Sequence, residues 1–217
     1  MAALEWDKTG ERFYETGTRK GVLYPMKADG TYDNGVVWNG LTAVTESPDG
    51  AEPNDLYADD IKYASLRSAE TFGGTIEAYT YPDEFAICDG TASPVDGLYI
   101  GQQARRGFGF CYQTQVGNDT MTDSDDGYKL HIWYNCVASP SEKSYETIND
   151  SPDAITFSWE IDTTPVPVTG YKPVATITID STKVDAAKLH ALEETLYGSA
   201  SKEPTLPTPD EVITALS

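Results

Sequence analysis

The clearest alternation of apolar and polar side chains lies between residues 154 and 180. In its first part, apolar residues occupy every second position: Ile155, Phe157, Trp159 and Ile161. A period of two is typical of a β-strand with one buried face, so the pattern places these four side chains in the core. Three prolines and a glycine within 163–173 then interrupt the pattern, and alternation resumes through Ile177 and Ile179. The pattern predicts two antiparallel strands joined by a proline-rich excursion.

Shorter runs of the same kind predict the rest of a β-rich domain. They are bounded by Gly, Asp, Asn and Pro, the residues that end strands and form turns. The predicted strands span residues 22–26, 36–44, 61–66, 75–81, 98–103, 106–116 and 128–138. One or two helical turns are predicted over 82–88, where a proline and two acids precede the apolar residues. The fold class predicted is mainly β, a sandwich or barrel of two antiparallel sheets.

Residues 181–198 change to the helical period. Leu189, Leu192 and Leu196 fall on one stripe, Asp185 is placed to cap the start, and Gly198 follows the last turn. This pattern predicts one α-helix that flanks the sheets with its leucines in the core. Residues 199–217 are predicted to form a C-terminal arm, in which 209–216 adds a short turn or a strand.

Two further segments are predicted to lie outside the compact part of the domain. Residues 1–21 mix Trp6 and Tyr14 with charges and are interpreted as an N-terminal arm. Residues 45–60 are rich in Pro, Gly and acids and are interpreted as a long loop between strands. Leu56 and Tyr57 lie in this loop, and a loop gains nothing by exposing both to water. These four side chains are therefore predicted to contact a partner, and residues 1–198 to form one β domain.

The charge of the chain limits its partners. The 217 residues carry 15 Lys+Arg and 35 Asp+Glu, a formal net charge of −20. A surface that grips phosphates needs clustered cations, so nucleic-acid binding is disfavoured, and the remaining interpretation is a soluble acidic surface. Three cysteines in no metal-binding spacing indicate free thiols in a reducing compartment. The first residues are charged and no 18-residue apolar run occurs, so we expect a soluble protein made in the cytosol, without a membrane partner.

The motifs of enzyme chemistry do not align. Asp119, Asp123, Asp125 and Asp126 resemble a calcium-binding loop, but no frame places Gly sixth and Glu twelfth. His131 lies in an apolar strand, His190 lies on the helix, and nothing in the pattern joins either to a triad. No catalytic, cofactor-binding or metal-binding residue is predicted, and the chain is not expected to be an enzyme.

Four segments together resemble the major tail proteins, or tail tube proteins, of long-tailed, non-contractile bacteriophages. They begin GVVWNGLTAVT at Gly35, ADDIKYASLRSAETF at Ala58, GYKLHIWYN at Gly127 and PTLPTPDEV at Pro204. The resemblance implies a structural virion protein whose hexameric rings stack into a hollow tube through which DNA leaves. It also implies tape-measure, terminator and distal tail partners, a location in the host cytoplasm before assembly and in the virion tail afterwards, and no cofactor. Part of the negative charge is expected to face the bore, so that DNA passes without specific binding.

Two other functions fit the same pattern of residues. A carbohydrate-binding or adhesin-like β-sandwich would use tyrosines and tryptophans as stacking platforms and would remain a monomer. A hydrolase would need two of the many carboxylates to converge in one pocket. A tube protein, by contrast, must associate with copies of itself.

Overall fold

The computed structural model describes residues 3–120, 127–148, 150 and 153–217. Residues 123, 125 and 126 of the candidate calcium loop lie outside these ranges. The strands, in chain order, are β1 (Phe13–Pro25), β2 (Val36–Trp38), β3 (Leu41–Gly50), β4 (Pro53–Ala58), β5 (Ile61–Arg67), β6 (Glu70–Ala78), β7 (Ala92–Val95), β8 (Leu98–Ile100), β9 (Phe108–Asn118), β10 (Tyr128–Ala138), β11 (Phe157–Thr163) and β12 (Thr176–Asp180). A 3₁₀ helix spans Asp83–Ile87, and two α-helices follow β12, α1 (Ala186–Tyr197) and α2 (Pro209–Leu216). None of the helices in the described ranges has both the length and the hydropathy needed to cross a membrane.

Eight strands form one antiparallel sheet in the order β2-β1-β9-β10-β11-β6-β3, with β12 also paired to β10. The sheet divides at β10: residues 129–133 pair with β12, whereas 136–138 pair with β11. Asn135 lies at the division with a positive φ of 52°, and the β9–β10 register shifts there. This bend turns β11, β6 and β3 back over β1 and β9. The predicted mainly β, antiparallel fold is confirmed, but in the described residues the strands do not close into a barrel.

The larger core lies between the two halves of this bent sheet. Trp38, Trp133 and Trp159 are at most 2% exposed and pack with Phe85 of the 3₁₀ helix and Phe110 of β9. Most of these ring pairs are T-shaped and one is tilted, with ring centroids 4.6–5.8 Å apart. Such aromatic pairs add to the free energy already gained by burial.

A second core lies on the opposite face of β1, β9 and β10, where the helices pack. Leu189, Leu192 and Leu196 are at most 4% exposed there. The Tyr24 hydroxyl donates to the Leu196 carbonyl at 2.6 Å, so the end of α1 is fixed to β1. The Asp185 side chain accepts from the first backbone N–H groups of α1. The protein therefore has three layers: helices, the β1-β9-β10 half of the sheet, and the β3-β6-β11 half.

The structure corrects the prediction of a loop over residues 45–60. β3 continues to Gly50, and β4 pairs with β5 to form a hairpin. The prolines are compatible with strands because Pro48 lies on an edge strand and Pro53 begins β4. The predicted strand 36–44 is divided at Asn39 and Gly40, between β2 and β3.

The limits of the terminal arms and of the core also change. β1 begins at Phe13, so the second half of the predicted N-terminal arm is a strand paired with β9. The predicted single helix is joined by α2, because Thr208 and Glu211 form a reciprocal capping box around Pro209. Ile155 is 39% exposed rather than buried, since β11 pairs with β6 only from Phe157 onward.

Candidate self-assembly surfaces

The β4–β5 hairpin, which we call the first ribbon, projects from the edge of the sheet as a continuation of β3 and β6. It spans Pro53–Ala58 and Ile61–Arg67, and its two strands pair only with each other. Asp59 and Asp60 form the two-residue turn, with φ of 51° and 63°, as a type I′ turn requires. Lys62 forms an ion pair with Asp55 at 2.8 Å.

Large apolar side chains of the first ribbon are exposed. Their exposed fractions are Leu56 41%, Tyr57 70%, Ile61 64%, Tyr63 75% and Leu66 56%. Leu56 lies opposite Ala64 and Asn54 opposite Leu66, so Leu56 and Leu66 share one face. An isolated two-stranded hairpin is marginally stable in water, and an exposed apolar cluster of this kind typically marks a contact surface.

The β7–β8 hairpin, which we call the second ribbon, was not predicted from the sequence. The pattern predicted only a single strand over residues 98–103. Val95, Leu98, Tyr99 and Ile100 are 46–64% exposed. Ala92 lies opposite Ile100 and Val95 opposite Leu98, so one face of this ribbon is apolar throughout. Asp96-Gly97 forms its turn, with Gly97 at φ 81°. An Asp-Gly pair between short apolar runs is the signal that identifies such a hairpin.

The N-terminal segment carries the other two predicted contact residues. Trp6 is 77% and Tyr14 52% exposed. Asp119 fixes the segment beside the end of β9, where it accepts from the Gly10 N–H at 2.9 Å and pairs with Arg12 at 3.7 Å. Tyr14 lies over Gly117, where an added Cβ would come within 2.7 Å of its ring. Trp6 and Tyr14 are therefore on different elements from Leu56 and Tyr57, and the four residues belong to two separate surfaces.

His131 lies between two carboxylates of the central sheet. It lies on β10 and is 7% exposed, with its Nε2 3.5 Å from Glu15 of β1 and its Nδ1 3.4 Å from Glu46 of β3. The hydrogen bond with His131 is the main cause that lowers the pKa of Glu46, and the Tyr112 hydroxyl also donates to this carboxylate at 2.9 Å. Glu15 forms a further ion pair with Lys129 at 2.5 Å. His131 thus has structural partners on both ring nitrogens.

The outward face of the β3-β6-β11 half, which we call the acidic face, lies opposite the helical layer. Its rows follow from the strand register: Ala43, Glu77 and Ser158; Thr45, Thr75 and Glu160; Ser47, Gly73 and Asp162; Asp49 and Thr71. These positions hold four acids, small residues and hydroxyls, and no Lys, Arg or His. A concave groove runs across them between Asp49 and Glu160.

The three cysteines lie in the interior of the protein. Cys88, Cys111 and Cys136 are buried and free, and burial raises the pKa of both Cys88 and Cys111 to about 12. Thiols with such pKa values are unreactive at neutral pH. Among the described residues, no three His, Cys, Asp or Glu side chains are placed to hold a metal ion.

Comparison with known protein families identifies a matching family. The family model described as "Phage tail tube protein" matches residues 22–200, which include both ribbons, the acidic face and α1. Among curated proteins, no match to the sequence was found.

Proposed function

Because this chain belongs to the phage tail tube protein family, we propose that it forms hexameric rings that stack into the hollow tube of a long-tailed, non-contractile phage. Membership of this family makes the chain a structural component of the virion tail. The observation that carries the proposal is the pair of apolar ribbons, which no other part of the described chain covers. Apolar surfaces of this extent in a folded domain are explained by contact with other subunits.

The open edges of the sheet support the same proposal. β2, β3 and β12 form the edges, and each has a side without a partner strand in the described chain. Val37 at the β2 edge is 63% exposed. Unpaired edges promote contacts between chains, and a heterologous contact whose rotation closes produces a ring. Permanent assemblies of this kind bury roughly 2,000–5,000 Å² at each interface.

We further propose that the acidic face lines the bore. DNA binds to proteins mainly through phosphate contacts with Lys and Arg, and this face has neither. Its small and hydroxyl-bearing residues leave it without large apolar side chains, so bases would find no stacking partner. The helical layer then lies on the outside of the tube. A tube of this kind conducts DNA without specific binding. The subunits are in the host cytoplasm before assembly, tape-measure and terminator proteins set the length of the tube as it forms, and a distal tail protein is a further partner.

Size-exclusion chromatography followed by negative-stain electron microscopy of the purified protein tests the main proposal. We expect rings or tubes at high protein concentration. A protein that remains monomeric and is retained on a carbohydrate column would instead support the β-sandwich adhesin. The positions of Tyr57, Tyr63 and Tyr99 on projecting ribbons argue against that function, because sugar-stacking platforms lie in clefts.

The assignment of the bore can be tested by placing cations on the acidic face. We expect the double variant Thr75→Lys, Glu160→Lys to form tubes that retain short duplex DNA and protect it from nuclease, because two cations per subunit would bind phosphates inside the bore. Wild-type tubes should protect none. As a control, Glu194→Lys adds positive charge to α1, where any bound DNA should remain sensitive to nuclease. Intact double-variant tubes without protected DNA, or failure of this variant to form tubes, would place the acidic face elsewhere.

A further inference from the structure

The two ribbons leave the domain at opposite ends of one strand, β6. Its first residue, Glu70, pairs with Gly50 where the first ribbon begins. Its last residue, Ala78, pairs with Phe157 and leads through Pro82 into the 3₁₀ helix, from which the second ribbon projects. The base of the second ribbon is held at that end by Lys143, which bonds Asp89 at 2.6 Å and lies over the Tyr81 ring.

The two ribbons are unlike in sequence and shape, and each has an apolar face. The first presents Leu56 and Leu66 on one face of strands of six and seven residues, with Tyr57 on the other face and Tyr63 as the extra residue of the bulge. The second presents Val95, Leu98 and Ile100 on strands of four and three. A contact between unlike surfaces at opposite ends of a molecule is heterologous and can repeat without limit, which is the geometry of a stack.

The charges near the two ribbons also favour contact between the first ribbon of one copy and the second ribbon of another. The turn of the first ribbon carries Asp59 and Asp60, whereas the strand-free segment after the second ribbon carries Arg105 and Arg106. Arg105 is occupied, since it pairs with Asp89 at 3.3 Å and donates to the Ala138 carbonyl at 2.9 Å. Arg106 is exposed. In a chain with a net charge of −20, an exposed cation in the segment that follows the second ribbon favours an acidic partner surface.

We propose that the second ribbon is the receptor for the first ribbon of another copy of this chain, so that successive rings are joined ribbon to ribbon. The apolar faces pack together, and the acidic turn of one copy lies beside Arg106 of the next. The inference rests on the proposed tube function, because it identifies the contact by which rings stack.

A mixing experiment with two variants tests this pairing. The first-ribbon variant is Leu56→Ser, Tyr57→Ser and the second-ribbon variant is Leu98→Ser, Ile100→Ser. All four residues are more than 40% exposed, so both variants should fold, which circular dichroism and thermal melting can check. We expect each variant alone to stop at single rings. In an equal mixture, one variant supplies an intact first ribbon and the other an intact second ribbon. We therefore expect rings of the two variants to join in pairs, which sedimentation velocity detects as about twice the mass of a single ring.

Each other outcome has a distinct meaning. Normal tubes from the second-ribbon variant, or a mixture that sediments like its separate components, would overturn the pairing. Pairs of rings in either variant alone would show that like ribbons pair with each other, which also overturns it. Failure of the wild-type protein to assemble at all would instead contradict the proposed tube function.

Discussion

Trp159→Ala is expected to destabilise the folded protein by about 3–5 kcal/mol, as large-to-small substitutions in well-packed cores do. Trp159 has no exposed surface and lies between both halves of the sheet. Its ring centroid is 5.1 Å from that of Phe85 and 5.6 Å from that of Trp38. Truncation would leave a cavity bounded by rigid aromatic rings, which cannot collapse to fill it.

The loss of folding free energy in this variant should come from packing alone. The indole N–H of Trp159 has no hydrogen-bond partner in the described residues, so the substitution breaks no hydrogen bond. Because a domain of this size is stable by only about 5–15 kcal/mol, we expect much of the variant to be unfolded near 37 °C. Urea unfolding followed by tryptophan fluorescence, at a concentration too low for assembly, measures the change.

Trp6→Ala is the matched control for this prediction. It removes the same side chain from a position that is 77% exposed, and surface substitutions usually change the free energy of unfolding by less than about 0.5 kcal/mol. Similar losses for the two variants would contradict the position of Trp159 at the centre of the core.

The spacing of apolar residues along the sequence was sufficient to predict the strands and the helix that bury one face in the core of the chain. β11 and α1 have regular periods because Trp159, Ile161 and the three leucines of α1 all contact the core. The resemblance to tail tube proteins is confirmed at the level of the family. The capping box at Thr208 was a readable signal for α2 that the periodicity alone did not reveal.

The ribbons could not be predicted in the same way. Their apolar residues contact no core of their own chain, so no strict alternation is required of them: Leu56 and Tyr57 are adjacent, and Tyr63 on the facing strand is the extra residue of a bulge. A sequence pattern interprets such a segment as a loop. The acidic face could not be predicted from the sequence for another reason. Thr45, Thr75 and Glu160 form one row only through the register of three paired strands. Positions set by pairing between distant segments are not encoded locally.

Replacing both Leu56 and Tyr57 with Ser is expected to abolish tubes while leaving the domain folded. Together they supply the apolar surface near the middle of the first ribbon, and contacts at the centre of an interface contribute most of its binding free energy. The ribbon lies outside both cores, so its truncation removes nothing that the domain needs for folding. Negative-stain microscopy and a thermal melt measure the two properties separately.

The matched control is Tyr171→Ser, which removes an aromatic ring that is 73% exposed on the excursion between β11 and β12. It should form tubes like the wild type. If the Leu56, Tyr57 variant unfolds, the pair belongs to the core of the domain and not to an assembly surface. If it folds and still forms tubes, Leu56 and Tyr57 make no contact that assembly needs, which contradicts their proposed role.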